Sequence, residues 1–155
     1  MPNLLPRTGL QTSARNQFDG LVGALTAGPV NCEVRLQLPG GDALTAVITQ
    51  AAARELGLAV GGRAVAIVKA PWVIVATAGA DSGADAGLRD SARNQLSGTV
   101  SALTLGPVNA EVAITLPGGS VVHAVITQEA VADLGLAVGQ AARAIIKASH
   151  IVLAA

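Results

Sequence analysis

The feature that most constrains this chain is an internal repeat. A shift of 78 residues places 13–76 on 91–154 without a gap, and roughly 38 of the 64 paired residues are identical. SARNQ, GPVN, LPGG, AVITQ and LGLAVG each occur twice and in the same order. A sequence that repeats in this way folds as copies of one unit, so the fold of one repeat defines most of the molecule.

The repeat divides the chain into two predicted domains, 13–76 and 91–155. Residues 77–90 between them are rich in Gly, Ala and Asp and have no apolar periodicity, which predicts a flexible linker. Residues 1–12 contain two prolines and a glycine and are predicted to form an N-terminal tail. Domains this small bury a modest share of their surface, so we expect the chain to gain stability by forming an oligomer.

Each repeat has the pattern of short strands separated by turns. In the first repeat one helix of about two turns is predicted to begin after the N-cap Thr49 and to end before Gly57. Strands are predicted at 17–26, 30–38, 43–48, 63–69 and 72–76, the last two being two strands or one interrupted strand. Five strands with a helix between the third and fourth are typical of an OB-type barrel. The predicted fold is therefore mainly all-β, with two tandem OB-type five-stranded barrels that each carry one short helix.

The second predicted strand alternates between apolar and polar residues. Its apolar positions are Val30, Cys32, Val34, Leu36 and Leu38, and a period of two predicts that they face the core together. Cys32 is the only cysteine of the chain, so it forms no intramolecular disulfide and is interpreted as a small packing residue.

Composition and motifs exclude several functions. The formal net charge is +0 and 1% of the residues are aromatic, which argues against a nucleic-acid partner that needs a basic groove with stacking platforms. No signal peptide and no apolar run of about 18 residues is present, which predicts a cytoplasmic protein without membrane association. No phosphate loop, nucleophile elbow or HExxH pair occurs, so neither an enzyme nor a catalytic cofactor is predicted.

The histidines and acidic residues do not predict a bare metal cation. His123 and His150 both lie in the second repeat and correspond to Thr45 and Trp72 in the first, so a site common to both repeats does not depend on them. The acidic residues are scattered, and no carboxylate cluster suggests a site for a hard cation. Packing or surface roles are predicted for both histidines.

What recurs in both repeats is a set of cationic and neutral hydrogen-bond donors. A tetrahedral oxyanion requires such a set, because hydroxyl and amide groups orient it while Arg or Lys offsets its charge. Each donor also has a structural interpretation: Thr49 as an ordinary N-cap, the lysine as a solvated charge, and Arg15 as a partner of Glu33 or Asp19. The recurring donors are Ser13, Arg15, Asn16, Thr49 and Lys69, with Ser91, Arg93, Asn94, Thr127 and Lys147.

SARNQ followed by GxV, GPVNxEV, VITQ, LGLxVG and a Lys-Ala pair resembles the Mop domain, a subtype of the TOBE fold. The resemblance covers nearly the whole chain outside the tail and linker, and two such domains are similar to the di-Mop molbindins. That family binds molybdate, and often tungstate, and is taken to buffer or store the oxyanion in the cell. The resemblance thus implies a molybdate or tungstate ligand for molybdenum storage and homeostasis, and a homotrimer with ligands at domain interfaces.

By this resemblance, the Ser-Ala-Arg-Asn segment of one domain meets the threonine and lysine segments of another around the oxyanion. Related domains often have Ser three residues after the threonine, and Ala52 and Ala130 stand there in this chain, so both repeats lack that hydroxyl. Pro71 in place of Ser149 removes a further donor from the first repeat alone, which implies that the two classes of site differ in affinity. The implied ligands are Ser13, Ala14, Arg15, Asn16, Thr49, Lys69 and Ala70, with Ser91, Ala92, Arg93, Asn94, Thr127, Lys147, Ala148 and Ser149. The GPVN turns supply a further candidate set of lower priority: Gly28, Val30, Asn31, Gly106, Val108 and Asn109.

A second hypothesis keeps the same fold and ligand but changes the role. Related paired domains occur as the sensing part of molybdate-responsive transcription factors and on transporter ATPases. This sequence has neither a helix-turn-helix region nor a phosphate loop, so such a regulatory module would act through a partner protein. A partner that binds only in the presence of molybdate would favour this hypothesis.

Overall fold

The computed structural model describes residues 11–77 and 91–155, so the predicted tail up to residue 10 and nearly all of the predicted linker lie outside the described residues. The first repeat contains five strands and one helix. They are β1 (Asn16–Ala27), β2 (Asn31–Gln37), β3 (Ala43–Thr49), α1 (Gln50–Glu55), β4 (Arg63–Val68) and β5 (Ile74–Ala76). A 3-10 turn at Ala70–Trp72 separates β4 from β5, so the end of the repeat forms two strands rather than one.

The second repeat contains the same elements in the same order. They are β6 (Asn94–Leu105), β7 (Asn109–Thr115), β8 (Val121–Thr127), α2 (Gln128–Leu134), β9 (Ala141–Ile146) and β10 (Val152–Ala154). A 3-10 turn at Ala148–His150 corresponds to the one in the first repeat. The predicted fold class and the predicted position of the helix are confirmed.

The two repeats exchange their last strands. One sheet has the order β10-β4-β1-β2-β3 and the other has the order β5-β9-β6-β7-β8, and neighbouring strands in both are antiparallel. Thus β10, at the end of the second repeat, pairs with β4 of the first, while β5 pairs with β9 of the second. Each five-stranded sheet therefore contains four strands from one repeat and one strand from the other.

The long first strand of each repeat bends so that it pairs on both sides. The first half of β1 pairs with β4 and its second half with β2, with a register shift between Val22 and Ala24. Gly20 lies just before this shift, where an added Cβ would lie 2.6 Å from the carbonyl oxygen of Gln37. Gly98 occupies the equivalent place in β6, and its added Cβ would lie 2.4 Å from a carbonyl oxygen. Bulges of this kind increase strand twist, which lets a small sheet curl into a barrel.

The core is built from the alternating strand positions, with one exception. Cys32, Val34, Leu36 and Leu38 are buried as predicted, and Cys32 is a free thiol within the core. Val30 was predicted to share this face, and that prediction is wrong because its side chain is 69% exposed. The strand begins at Asn31, so Val30 belongs to the preceding turn and does not follow the alternation of the strand.

Candidate oxyanion-binding site

The segment before the first strand of each repeat divides into exposed and buried residues. Ser13 and Arg15 are exposed and Ala14 is half-buried, whereas Asn16 opens β1 and has an exposed fraction of 1%. The second repeat follows the same pattern, with exposed Ser91 and Arg93, half-buried Ala92 and buried Asn94. The serine and arginine of each segment are therefore accessible to a ligand, and the asparagines lie inside the protein.

The two asparagines join the repeats through paired hydrogen bonds. The Asn16 amide donates to the carbonyl oxygen of His123 at 2.8 Å, and its Oδ1 accepts from the His123 backbone N–H at 2.7 Å. Asn94 makes the equivalent bonds to the backbone of Thr45, at 2.8 and 2.7 Å, and also donates to the carbonyl oxygen of Ile146. Both side chains thus already have backbone partners in strands of the other repeat, a role that sequence reasoning missed.

The two arginines form ion pairs that also cross between the repeats. Arg15 lies 2.6 Å from Glu111, and Arg93 forms the equivalent pair with Glu33. The arginine side chains remain 54% and 57% exposed. Glu33 and Asp19 were the partners considered for Arg15, and both are wrong: Arg15 pairs with Glu111 of the other repeat, Glu33 pairs with Arg93, and Asp19 pairs with Arg63.

The threonines at the ends of β3 and β8 are N-caps. The Thr49 hydroxyl oxygen accepts from the Ala52 backbone N–H at 3.0 Å, and Thr127 accepts from Ala130 at the same distance. Both threonines are exposed, and each hydroxyl retains its own proton for donation. The helices that they cap contain 6 and 7 residues.

Lys69 and Lys147 are the only two lysines in the sequence, and they occupy equivalent positions. Both are exposed, and each is followed by a buried alanine, Ala70 or Ala148. Within residues 11–77 and 91–155, neither lysine has an ion pair with a carboxylate. The Lys69 Nζ lies instead 5.9 Å from the ring centroid of Trp72. The exposed Ser149 follows Ala148 in the second repeat.

The ladder register places these groups near one another without joining them. Asn16 lies opposite Val68, so Arg15 and Lys69 leave the same end of the β1–β4 ladder. Asn109 of β7 lies opposite Thr127 in β8. Glu111, the partner of Arg15, is two residues farther along β7, roughly 7 Å from Asn109. We call Arg15, Lys69 and Thr127 the first corner.

The second corner is the equivalent set from the opposite repeats: Arg93, Lys147 and Thr49. Each corner thus draws its arginine and lysine from one repeat and its threonine from the other. Among the described residues, no hydrogen bond or ion pair links a lysine to a threonine. The donors at both corners are exposed.

The GPVN turns lie next to the helix starts. The Val30 carbonyl oxygen accepts from the first helical N–H, that of Gln50, at 2.8 Å, and the Gly28 N–H donates to Asn31. Val108 and Gln128 form the equivalent bond, and Gly106 donates to Asn109. The valine side chains are 69% and 71% exposed, so these turns present apolar surface beside each threonine.

His123 lies beside the ion pair of the first corner. Burial and, to a smaller extent, the Arg15 guanidinium lower the pKa of His123 below 6.5, while Glu111 opposes the shift.

In the described part of the chain, no group of three His, Cys, Asp or Glu side chains could hold a metal ion. No helix in that part is long and apolar enough to cross a membrane.

Comparisons with known proteins agree on the family. The sequence profile of the TOBE domain matches residues 12–75 and 90–153. The molybdenum transport protein ModE of Herbaspirillum seropedicae is 40% identical over 154 residues, which cover 99% of this chain and 55% of that protein. The molybdenum-pterin-binding protein MopA of Rhodobacter capsulatus is 45% identical over 152 residues, or 98% of this chain and 55% of that protein. The chain therefore spans about half the length of these curated relatives.

A solved structure matches over nearly the full length of both chains. The cytoplasmic molybdate-binding protein ModG, crystallised with molybdate bound, is 50% identical to this chain and superimposes with a TM-score of 0.86. The match covers 94% of this chain and 99% of that one, so it includes both repeats. The resemblance that the SARNQ, GPVN and VITQ motifs indicated is confirmed, and this chain belongs to the TOBE domain family, with two domains similar to those of the molybdenum-pterin-binding protein MopA and the molybdate-binding protein ModG.

Proposed function

We propose that this chain is a binding protein rather than an enzyme, and that it binds molybdate or tungstate reversibly in the cytoplasm to store and buffer the oxyanion. The observation that carries the proposal is the pair of lysines, placed equivalently and free of carboxylate partners in the described residues. Hydrogen bonds from a cation to an anion are stronger than neutral ones, and a lysine without a carboxylate partner can make them to a bound dianion. The names of MopA and ModG, which refer to molybdenum-pterin and molybdate binding, support this choice of ligand.

Within the proposed site, the lysines and the arginines have different roles. Glu111 and Glu33 already offset much of the charge of Arg15 and Arg93, so the arginines mainly fix the segments that carry Ser13 and Ser91. The lysine ammonium supplies the net charge, and the threonine and serine hydroxyls supply neutral donors. Asn16 and Asn94 do not contact the ligand in this proposal; their amides bind the backbone of the other repeat and so hold the two repeats together.

We further propose that each site is completed by a neighbouring copy of the chain in a homotrimer. The donors of each corner are exposed and not joined, and exposed valines flank them at the GPVN turns. Exposed groups bind a dianion weakly because water competes for the same hydrogen bonds. A second copy would exclude this water and strengthen every charged contact. Light scattering with and without molybdate tests the trimer, and a monomeric chain that still binds the ion would contradict it.

The ligand assignment is tested by titration calorimetry with molybdate, tungstate and sulfate. We expect K69A/K147A to lose most molybdate binding because both unpaired ammonium groups are removed. The matched control is R35A/R54A, which removes two exposed positive charges outside the corners and should bind as the original chain does. Equal affinity in K69A/K147A and the original chain would contradict the site, and equal losses in both double variants would indicate only a general charge effect.

Chemical labelling offers a second measurement of the same site. Because Lys69 and Lys147 are the only lysines, the amine labels read by mass spectrometry report on these two side chains and the N-terminus alone. Molybdate should slow the acetylation of both lysines, while the N-terminal amine serves as an internal control. Unchanged labelling of both lysines at saturating molybdate would contradict their role.

A regulatory role is the second candidate. It is supported by the ModE relatives, one of which, in Yersinia pestis, is called a transcriptional regulator and is 36% identical over 97% of this chain. In that case the same ligand site would control binding to a partner protein. Affinity capture with and without molybdate separates the two roles, since a buffer protein gains no partner when the ion is added.

A further inference from the structure

Trp72 and His150 hold equivalent positions in the two repeats and meet in space. Each lies at the end of a 3-10 turn that leads into an exchanged strand, and their ring centroids are 5.1 Å apart with planes tilted by 41°. His150 is half-buried and Trp72 remains 43% exposed. The strand exchange thus brings the two turns together and places the tryptophan and histidine rings next to each other.

The Trp72 ring also contacts the ammonium group of Lys69, the residue that precedes the 3-10 turn Ala70–Trp72. The Lys69 Nζ lies 5.9 Å from the ring centroid, within the roughly 6 Å range of a cation–π contact. The Trp72 backbone N–H donates to the Lys69 carbonyl oxygen at 2.9 Å, as the His150 backbone N–H does to Lys147, and Pro71 restricts the first of these turns. The second repeat has Ser149 and His150 at these places, and among the described residues no cation–π contact involves Lys147.

An aromatic ring holds an ammonium group differently from a carboxylate. The ring attracts the charge without neutralising it, and it accepts no strong hydrogen bond from the three N–H donors. Arg15 in the same corner has its charge offset by Glu111, whereas Lys69 keeps its charge and donors available while its flexible side chain is restrained. A restrained side chain loses less conformational entropy when a ligand binds.

We propose that Trp72 is a positioning residue for Lys69, so that the first corner presents a preorganised ammonium group and the second corner does not. The inference rests on the proposed function for its consequence, which is that the first corner binds the oxyanion more tightly than the second. The expected contribution of the contact is about two- to fivefold in affinity, the range typical of a cation–π pair at an exposed site.

The positioning itself is testable without any oxyanion. Reductive methylation with ¹³C-formaldehyde labels the two lysines and the N-terminus, and the ring current of Trp72 should shift the Lys69 resonance away from that of Lys147. W72H, which gives the first repeat the residue of the second, should abolish the shift, and W72F should retain part of it. Coincident lysine resonances in the original chain, or a shift that survives in W72H, would overturn the proposal even if the chain binds no molybdate.

The consequence for binding is tested by a double-mutant cycle with molybdate. We expect W72H to weaken binding at the tighter class of site about two- to fivefold, W72F to restore most of it, and W72H to have no further effect in a K69A background. A loss of equal size in the K69A background would show that Trp72 acts only on the fold and would overturn the positioning role. If K69A and the original chain bind alike, the proposed ligand site fails, while the resonance measurement still decides whether Trp72 holds Lys69.

Discussion

Asn94 of the second repeat binds the backbone of Thr45 in β3 of the first repeat. Asn16 of the first repeat binds the backbone of His123, the equivalent residue in β8 of the second repeat. Asn94 and Asn16 nevertheless make the same pair of hydrogen bonds there, because they bind backbone N–H and carbonyl groups. The residue that reaches across is identical in the two repeats, whereas the residue that contributes only its backbone differs. A backbone partner thus keeps the contact between repeats while the side chain at that position is free to change.

The repeats differ more where side chains meet side chains. Trp72 contacts His150, and only the tryptophan lies under a lysine in the described residues. By contrast, the Arg15–Glu111 and Arg93–Glu33 pairs use identical residues in both directions. The framework formed by these asparagine and arginine contacts is therefore symmetric, whereas the aromatic contact beside Lys69 and the residue at position 45 or 123 are not.

The largest effect is expected from the buried asparagines. N94A leaves the Thr45 N–H and carbonyl groups without their partner in a buried place, and a buried polar group left unsatisfied costs about 1–3 kcal/mol. We expect a loss of about 3 kcal/mol in the free energy of unfolding for N94A and about 2 kcal/mol for N16A, whose bonds are only partly buried. Urea denaturation followed by circular dichroism measures both values.

The matched control for this pair is N31A, which removes the same amide from an exposed strand end. It should change the free energy of unfolding by less than about 0.5 kcal/mol. If N16A and N94A were as mild as N31A, the asparagines would not join the repeats. If N16A proved the more damaging of the two, the comparison of buried and partly buried bonds would be wrong.

A smaller effect is expected from the ion pairs between the repeats. Exposed pairs contribute about 0–1 kcal/mol because water screens them, and both arginine side chains are more than half exposed. Double-mutant cycles for R15A with E111A and for R93A with E33A should give similar coupling energies of about 0.5 kcal/mol. A coupling well above that in one pair alone would show that the symmetric framework is not energetically symmetric.

The smallest effect is expected from His123, whose counterpart in the first repeat is the non-titrating Thr45. Its pKa in the folded protein lies below 6.5 because of burial and then the Arg15 guanidinium, so the unfolded chain takes up a proton first as the pH falls. The free energy of unfolding should therefore decrease as the pH falls from about 6.5 through the folded-state pKa. H123T, which installs the residue of the first repeat, should flatten this decrease, measured by urea denaturation between pH 7.5 and 5. An unchanged slope in H123T would assign the pH dependence to other groups.

Much of each repeat was predictable because its residues have local physical preferences. Alternation from Cys32 to Leu38 identified β2, and Thr49 followed by strong helix formers identified α1. Local patterns failed where a residue lies at the junction of two elements. Val30 fits the alternation of β2, but it lies in the turn before the strand and its side chain is exposed.

The candidate ligand groups were predictable as a list but not as an arrangement. Recurrence in both repeats identified Lys69, Thr49 and Arg15, yet it did not separate the buried Asn16 from its exposed neighbours. Burial of Asn16 depends on a strand more than a hundred residues away along the chain. The identical Glu33 and Glu111 were a signal for partners of the arginines, although the sequence did not show which repeat each would contact.

By itself the sequence determined the duplication, the strand and helix order, and the chemistry of the donors, because each of these depends on residue type and spacing along one repeat. The tertiary structure alone decided that β5 and β10 change places. The repeats are so alike that β5 has nearly the same pairing chemistry with β4 as with β9, so no local preference separates a closed repeat from an exchanged one. The choice depends on the path of the chain through the 3-10 turns and on contacts that exist only when both repeats are folded, including the Asn16 and Asn94 bonds and the Trp72–His150 pair.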